Sequence, residues 1–196
     1  SLDTGNGAYR FHDRIMRDSH HGGYGWLTVK EIFEKSSNVG VSRLIYDHYR
    51  DNPKRFVDKL YAMGLNKPLG VEIKGEGDPV IKYPGDGTWS GVTLPWMSIG
   101  YEVQMSPLHT LAYYNAVANK GKLVRPAFAK GLSRNGKMVE RFAPVVLNSS
   151  ICSRSTIEKI HQLLVGVVEN GTAKNILNEK YSIAGKTGTA QVAKGK

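Results

Sequence analysis

Ala184-Gly185-Lys186-Thr187-Gly188-Thr189-Ala190-Gln191 is the stretch from which the rest of the chain is read. It belongs to a segment from Tyr181 to Val192 that reads as a strand. Lys186 supplies a fixed positive charge. Side chains alternate along a strand, so the hydroxyls of Thr187 and Thr189 fall on one face. Gly188 between them removes a side chain and lets a ligand backbone lie close. A strand of this kind can take up a carboxylate-terminated peptide as an added strand and offer a backbone N–H to an oxyanion. The competing reading is a polar edge strand with one ordinary lysine.

A second short motif, Ser36-Ser37-Asn38, lies far upstream between two helical segments. Thr28-Val29-Lys30-Glu31 is a capping box that starts the first of them, which runs to about Lys35. Helical spacing resumes at Val39, Val41, Leu44 and Ile45. A hydroxyl and a carboxamide two residues apart on such a turn can both face one cleft. The first can relay a proton, and the second can hold a peptide group with one donor and one acceptor. Ser or Asn at this place could equally cap the second helix.

Between the motifs, Asn52-Pro53 predicts a helix start with Asn as cap, and Gly64 predicts its end. Phe56, Val57, Leu60 and Tyr61 form that helix's buried stripe. Residues 66–96 carry Pro79, Pro84 and Pro95 without helical period, and read as a long surface excursion. Ser106-Pro107 opens a helix through Leu108, Leu111, Ala112, Ala116 and Val117 to Gly121. Asn135-Gly136 predicts a hairpin between Phe128–Leu132 and Met138–Phe142. Ser155-Thr156-Ile157-Glu158 reads as a second capping box, for a helix to Glu169 with Gly171 as stop.

Composition narrows the function classes. The chain has 196 residues, 40% hydrophobic and 22% charged, as expected of one domain with a real core. Its net charge of +10 is spread without a basic block, RNA-binding signature or zinc-finger spacing, so a solvated basic surface is expected and no nucleic acid. One cysteine, Cys152, excludes an intramolecular disulfide and argues against a metal cluster. No stretch approaches the roughly 18 apolar residues that span a bilayer. The opening Ser1-Leu2-Asp3-Thr4-Gly5 has no signal-peptide character, as a segment cut from a longer chain would not.

Ser-x-Asn followed by Lys-Thr-Gly on a strand makes up two thirds of the signature of penicillin-recognising serine enzymes. The remaining third, Ser-x-x-Lys, carries the nucleophile, and no serine in this sequence has a lysine three residues later. The chain resembles the transpeptidase domain of class B (monofunctional) penicillin-binding proteins. The resemblance runs through Leu2-Asp3-Thr4-Gly5-Asn6-Gly7, Asp18-Ser19-His20, Leu27-Thr28-Val29 and Lys35-Ser36-Ser37-Asn38-Val39-Gly40. It continues in Ser98-Ile99-Gly100-Tyr101, Ser106-Pro107-Leu108, Ala118-Asn119-Lys120-Gly121, Arg125-Pro126 and the stretch 184–191. Asn38 with Val39-Gly40 looks like the division-septum type, with the sporulation enzymes as close cousins.

The resemblance implies an α+β fold, an antiparallel sheet with a helical subdomain as in the serine β-lactamases, incomplete here at both ends. Residues 1–196 are then an internal portion of one transpeptidase domain. Residues 1–180 are expected to form a mostly helical subdomain with loops, and 181–193 the active-site strand. The implied activity is acyl transfer on the D-alanyl-D-alanine end of peptidoglycan stem peptides in septal wall synthesis, inhibited by β-lactam antibiotics. Catalytic roles fall on Ser36 as proton shuttle, Asn38 as holder of the donor's side amide, and Lys186 as positive charge beside Ser36. Thr187, Gly188 and Thr189 bind substrate, the hydroxyls at the terminal carboxylate and the Thr189 N–H at the oxyanion. No metal or organic cofactor is implied. Divisome membrane proteins are implied partners, and the implied place is the outer face of the cytoplasmic membrane, with the anchor outside this chain. A chain without the nucleophile is expected to be inactive alone and to self-associate through the strand 181–193. A serine β-lactamase and a non-catalytic penicillin-binding module are the alternatives. The 66–96 excursion and the Gly100-Tyr101 helix entry speak against the former.

Overall fold

The computed structural model describes residues 1–188. Strands β1 (Leu2–Asp3), β2 (Ala8–Phe11), β3 (Arg14–Arg17) and β4 (Trp26–Leu27) come first, then helices α1 (Val29–Glu34), α2 (Asn38–Tyr49) and α3 (Lys54–Ala62). Strand β5 (Val80–Ile81), helix α4 (Thr93–Met97), strand β6 (Val103–Gln104) and helix α5 (Pro107–Ala118) follow. Strands β7 (Leu123–Val124), β8 (Gly131–Arg134), β9 (Lys137–Arg141) and β10 (Val146–Asn148) precede helix α6 (Arg154–Glu169) and a 3-10 turn at Lys174–Ile176. Among the described residues the strands pair antiparallel in five two-stranded ladders, β1–β4, β2–β3, β5–β6, β7–β10 and β8–β9. Two compact units divide the chain, one of residues 1–45 with 159 onward, the other of residues 46–158.

In the first unit, Phe11, Met16, Leu27, Ile32 and Val39 are buried. The capping box forms as the sequence predicts. Thr28 Oγ1 accepts the Glu31 N–H at 3.2 Å, and Glu31 Oε2 accepts the Thr28 N–H at 2.9 Å. Gly40 lets the α2 backbone approach α1, since a Cβ there would stand 2.7 Å from Ile32 Cγ2. Val167 and Val168 near the end of α6 are buried with Ala173, and Phe33 and Ile183 pack against them. Burying each such side chain stabilises by about 1.5–3 kcal/mol.

Two expectations are corrected. Residues 181–188 run without regular structure, not as a strand. A strand exists only through a ladder, and no strand among the described residues pairs with this segment. It is tied down instead by the Gly185 N–H, which donates to the Leu164 carbonyl at 3.1 Å, and by Ile183 on the valine cluster. Residues 189–193 of the expected strand lie outside the described residues. The second correction concerns the cap of α6, whose first residue, Arg154, falls in the second unit. Ser153, two residues before the expected Ser155, accepts the Thr156 N–H at 3.2 Å, and Glu158 pairs with Arg154 at 3.1 Å.

The second unit is centred on Val57, Ile81 and Met97, with Phe56, Leu60 and Tyr61 of α3 packed against them as the stripe predicts. Helix α3 starts at Lys54 without a side-chain cap, so Asn52 does not fill the expected role. It ends at Gly64, whose φ of +87° is the left-handed value that a helix terminus of this kind requires. The 66–96 segment is more than a surface excursion. Leu69, Ile81 and Leu94 are buried, and α4 contains Pro95. Proline is tolerated there because it occupies the first turn, where N–H groups have no intrahelical partner. In α5 the Ser106 cap and Pro107 stand as predicted; His109, Ala112, Ala116 and Val117 are buried and Leu111 is exposed. Asn135 (φ 52°) and Gly136 (φ 75°) form the predicted two-residue hairpin turn.

Candidate active site

Helix α1 ends in a Schellman motif. The Ser36 N–H donates to the Phe33 carbonyl at 3.2 Å and the Ser37 N–H to the Ile32 carbonyl at 3.0 Å. This pairing places the residue after the cap in left-handed conformation, a place that glycine usually takes. Here it is Ser36, with φ of 55°. A non-glycine residue in that region costs roughly 1–2 kcal/mol.

Ser37 is the cap of α2. Its Oγ accepts the Gly40 N–H at 2.9 Å, and its carbonyl accepts the Val41 N–H at 3.0 Å. The Ser37 hydroxyl in turn donates to the carboxylate of Asp18, 3.1 Å from each oxygen. Asp18 Oδ1 also accepts the Val39 N–H at 2.9 Å. A carboxylate at a helix N-terminus faces the positive end of the backbone dipole, so Asp18 pins the Ser36–Asn38 turn. Asn38 Nδ2 donates to the Arg17 carbonyl at 3.0 Å, which fixes the amide and leaves its oxygen as the acceptor.

Lys186 comes to this turn from 150 residues away, and its ammonium donates to Ser36 Oγ at 2.6 Å. The same Nζ lies 3.3 Å from the Thr187 carbonyl and 3.4 Å from Thr187 Oγ1. It also stands 5.9 Å from the centre of the Phe33 ring, within reach of a cation–π attraction. Burial pushes the Lys186 pKa below its ordinary value by disfavouring the charged form. An amine with an eased proton beside a hydroxyl can orient that hydroxyl, supply positive potential and accept or return a proton.

The structure therefore brings Ser36, Lys186 and Thr187 together. Asn38 is on the same turn, held to Arg17. Gly188 is exposed with open space where a Cβ would stand. Thr189 lies outside the described residues. Phe33 and Thr172, whose hydroxyl is 2.7 Å from that of Thr187, carried no motif, and Asp18 stood in the Asp18-Ser19-His20 likeness without a role assigned to it. Phe33 stood in the sequence only as one more apolar helix position. Thr172 follows the helix stop at Gly171 without a signal of its own.

Comparison with known proteins shows the family. The sequence pattern described as the penicillin binding protein transpeptidase domain matches residues 2–196. Penicillin-binding protein PbpB of Mycolicibacterium smegmatis is 32% identical over 184 residues, 90% of this chain and 27% of that protein. Stage V sporulation protein D of Bacillus subtilis is 29% identical over 181 residues, again 27% of its length. Penicillin-binding protein 3 of Mycobacterium tuberculosis, solved with ampicillin, superposes with a TM-score of 0.77 at 31% identity, covering 97% of this chain and 42% of that one. The chain thus spans about a quarter of the length of the curated relatives it matches. On its matched pattern, its relatives and the meeting of its serine turn with its Lys-Thr-Gly segment, the chain belongs to the penicillin-binding protein transpeptidase domain family.

Proposed function

We propose that this chain contributes the proton-shuttling and carboxylate-binding parts of a peptidoglycan D,D-transpeptidase that works through a serine acyl-enzyme. The 2.6 Å contact from Lys186 Nζ to Ser36 Oγ carries the reading, because it joins two motifs that no local structural need would bring together. The nucleophilic serine comes from a Ser-x-x-Lys segment of the same polypeptide outside residues 1–196, which themselves contain no such segment.

In this mechanism the nucleophile gives its proton to the lysine of its own Ser-x-x-Lys segment and attacks the penultimate D-alanine carbonyl of a stem peptide. The tetrahedral intermediate collapses with cleavage of the peptide C–N bond. Ser36 passes a proton to the departing D-alanine amine and is re-protonated through Lys186. Asn38 accepts from the donor peptide through Oδ1. Thr187 and Thr189 hydroxyls receive the terminal carboxylate, Gly188 leaves the substrate backbone room, and the Thr189 N–H serves the oxyanion. An amine of a second stem peptide then attacks the ester, forming the crosslink and freeing the serine. β-Lactams present a comparable carboxylate and carbonyl and leave a stable ester. Asn38-Val39-Gly40 and the named relatives favour septal or spore wall synthesis, at the outer face of the cytoplasmic membrane and beside divisome proteins.

Intact mass of the full-length protein after incubation with benzylpenicillin tests the reading. One drug mass is expected on one serine outside residues 1–196. Lys186→Ala and Asn38→Ala are each expected to slow that acylation on the order of 10²–10³-fold. Rates within about threefold of wild type for both variants would assign these residues a structural role and refute the proposal.

A further inference from the structure

We propose that Thr172 is a positioning residue of the acyl-transfer site, acting through Thr187; this rests on the transpeptidase reading above. Thr172 sits in the turn after α6. Its N–H donates to the Glu34 carbonyl at 3.1 Å, at the end of the helix that leads into Ser36. On either side, the Asn170 N–H donates to the Gly166 carbonyl at 2.8 Å and the Ala173 N–H to the Val167 carbonyl at 3.1 Å. Gly171 allows the close approach, since a Cβ there would overlap the Glu34 carbonyl oxygen. The backbone of Thr172 is therefore fixed to α1, and its hydroxyl reaches Thr187 Oγ1 at 2.7 Å. One residue thus ties the end of the Ser36 helix to the Lys-Thr-Gly segment.

Each hydroxyl has one proton to give. For Thr187 to donate to a ligand carboxylate, its O–H must point at the ligand and its oxygen must accept from its neighbours. Lys186 Nζ at 3.4 Å is one such donor, and Thr172 at 2.7 Å is the nearer one. The Thr172 hydroxyl then donates to Thr187 and polarises it towards the anion, as bonds in a chain strengthen one another. The carboxylate is present in the bound ground state as well as in the transition state. Loss of the Thr172 hydroxyl should therefore appear in the binding constant Ks more than in the acylation step k2.

The test is rapid-mixing acylation of the full-length protein by benzylpenicillin, which resolves Ks from k2. Thr172→Val, of nearly the same shape, is expected to raise Ks about fivefold, the size of one neutral hydrogen bond, with k2 within about twofold. Thr172→Ser, which keeps the hydroxyl, is expected to stay within about twofold of wild type. In a Thr187→Val background, Thr172→Val should add nothing further. Ks within twofold of wild type for Thr172→Val, failure of Thr172→Ser to restore it, or an equal loss in the Thr187→Val background would each overturn the proposal. A protein that benzylpenicillin does not acylate at all would overturn the transpeptidase reading and this inference with it. That result is distinct from normal acylation that ignores position 172.

Discussion

Replacing Ser36 separates the conformational cost of this residue from its chemistry. Its φ of 55° puts a Cβ in the left-handed region at the end of α1, a cost of about 1–2 kcal/mol that glycine does not bear. Glycine in turn loses more conformational freedom on folding, about 0.5–1 kcal/mol relative to alanine. Ser36→Ala and Ser36→Gly both delete the hydroxyl and with it the bond from Lys186, so that loss cancels between them. The glycine variant should then be the more stable by about 0.5–1 kcal/mol, or roughly 1–4 °C in the melting temperature of a domain of this size. Both should acylate about 10²–10⁴-fold more slowly than wild type, the range for a lost proton relay. Ser36→Thr keeps the hydroxyl but β-branching is poorly tolerated at positive φ, so it should be the least stable of the three. Circular-dichroism melts of the variants, alongside benzylpenicillin acylation of the full-length protein carrying them, read both quantities. An alanine variant as stable as the glycine variant would refute the claim that Ser36 is held at a conformational cost.

Two further outcomes follow from contacts of the same unit. Burial lowers the Lys186 pKa, so its charge is lost as pH rises through a value below the ordinary 10.5. Acylation should show an alkaline limb that begins below pH 10.5, and a rate flat to that pH would contradict a role for the charge. Gly166→Ala would drive a Cβ into the Glu34 carboxylate and should cost about 1–3 kcal/mol in a denaturant titration. Adding Glu34→Ala should recover most of it, and additive losses would show that the two residues do not meet.

Legibility in the sequence followed the range of the interactions involved. The Thr28–Glu31 box, the Ser106-Pro107 start and the Asn135-Gly136 turn are satisfied within four residues, and each stands where the pattern puts it. The cap of α6 misled because Ser153 and Ser155 both precede an acceptable first turn, and the choice lay with Ser153. The α4 helix was hidden by Pro95, a residue that breaks helices everywhere except where it happens to fall. At the site, Ser36 and Lys186 were legible because a pair of motifs constrains both. Thr172 was not, and Asp18 was legible only as part of the Asp18-Ser19-His20 likeness, because each acts across a gap, Asp18 to Ser37 at 19 residues and Thr172 to Thr187 at 15, that no local pattern encodes.

The separation of 150 residues between Ser36 and Lys186 also sets an order of events at the ribosome. The first 45 residues, with the hairpin, the capped helix and the serine turn, can form while the rest is still being synthesised. At roughly 5–20 residues per second, the lysine emerges on the order of 8–30 s after the serine. Through that interval the α1 face that later receives Gly166, Val167 and Val168 has no cover, and Glu34 and Phe33 stand open to water. The buried Glu34, whose Oε1 lies 3.7 Å from Lys30 Nζ, therefore meets its final surroundings only when α6 arrives.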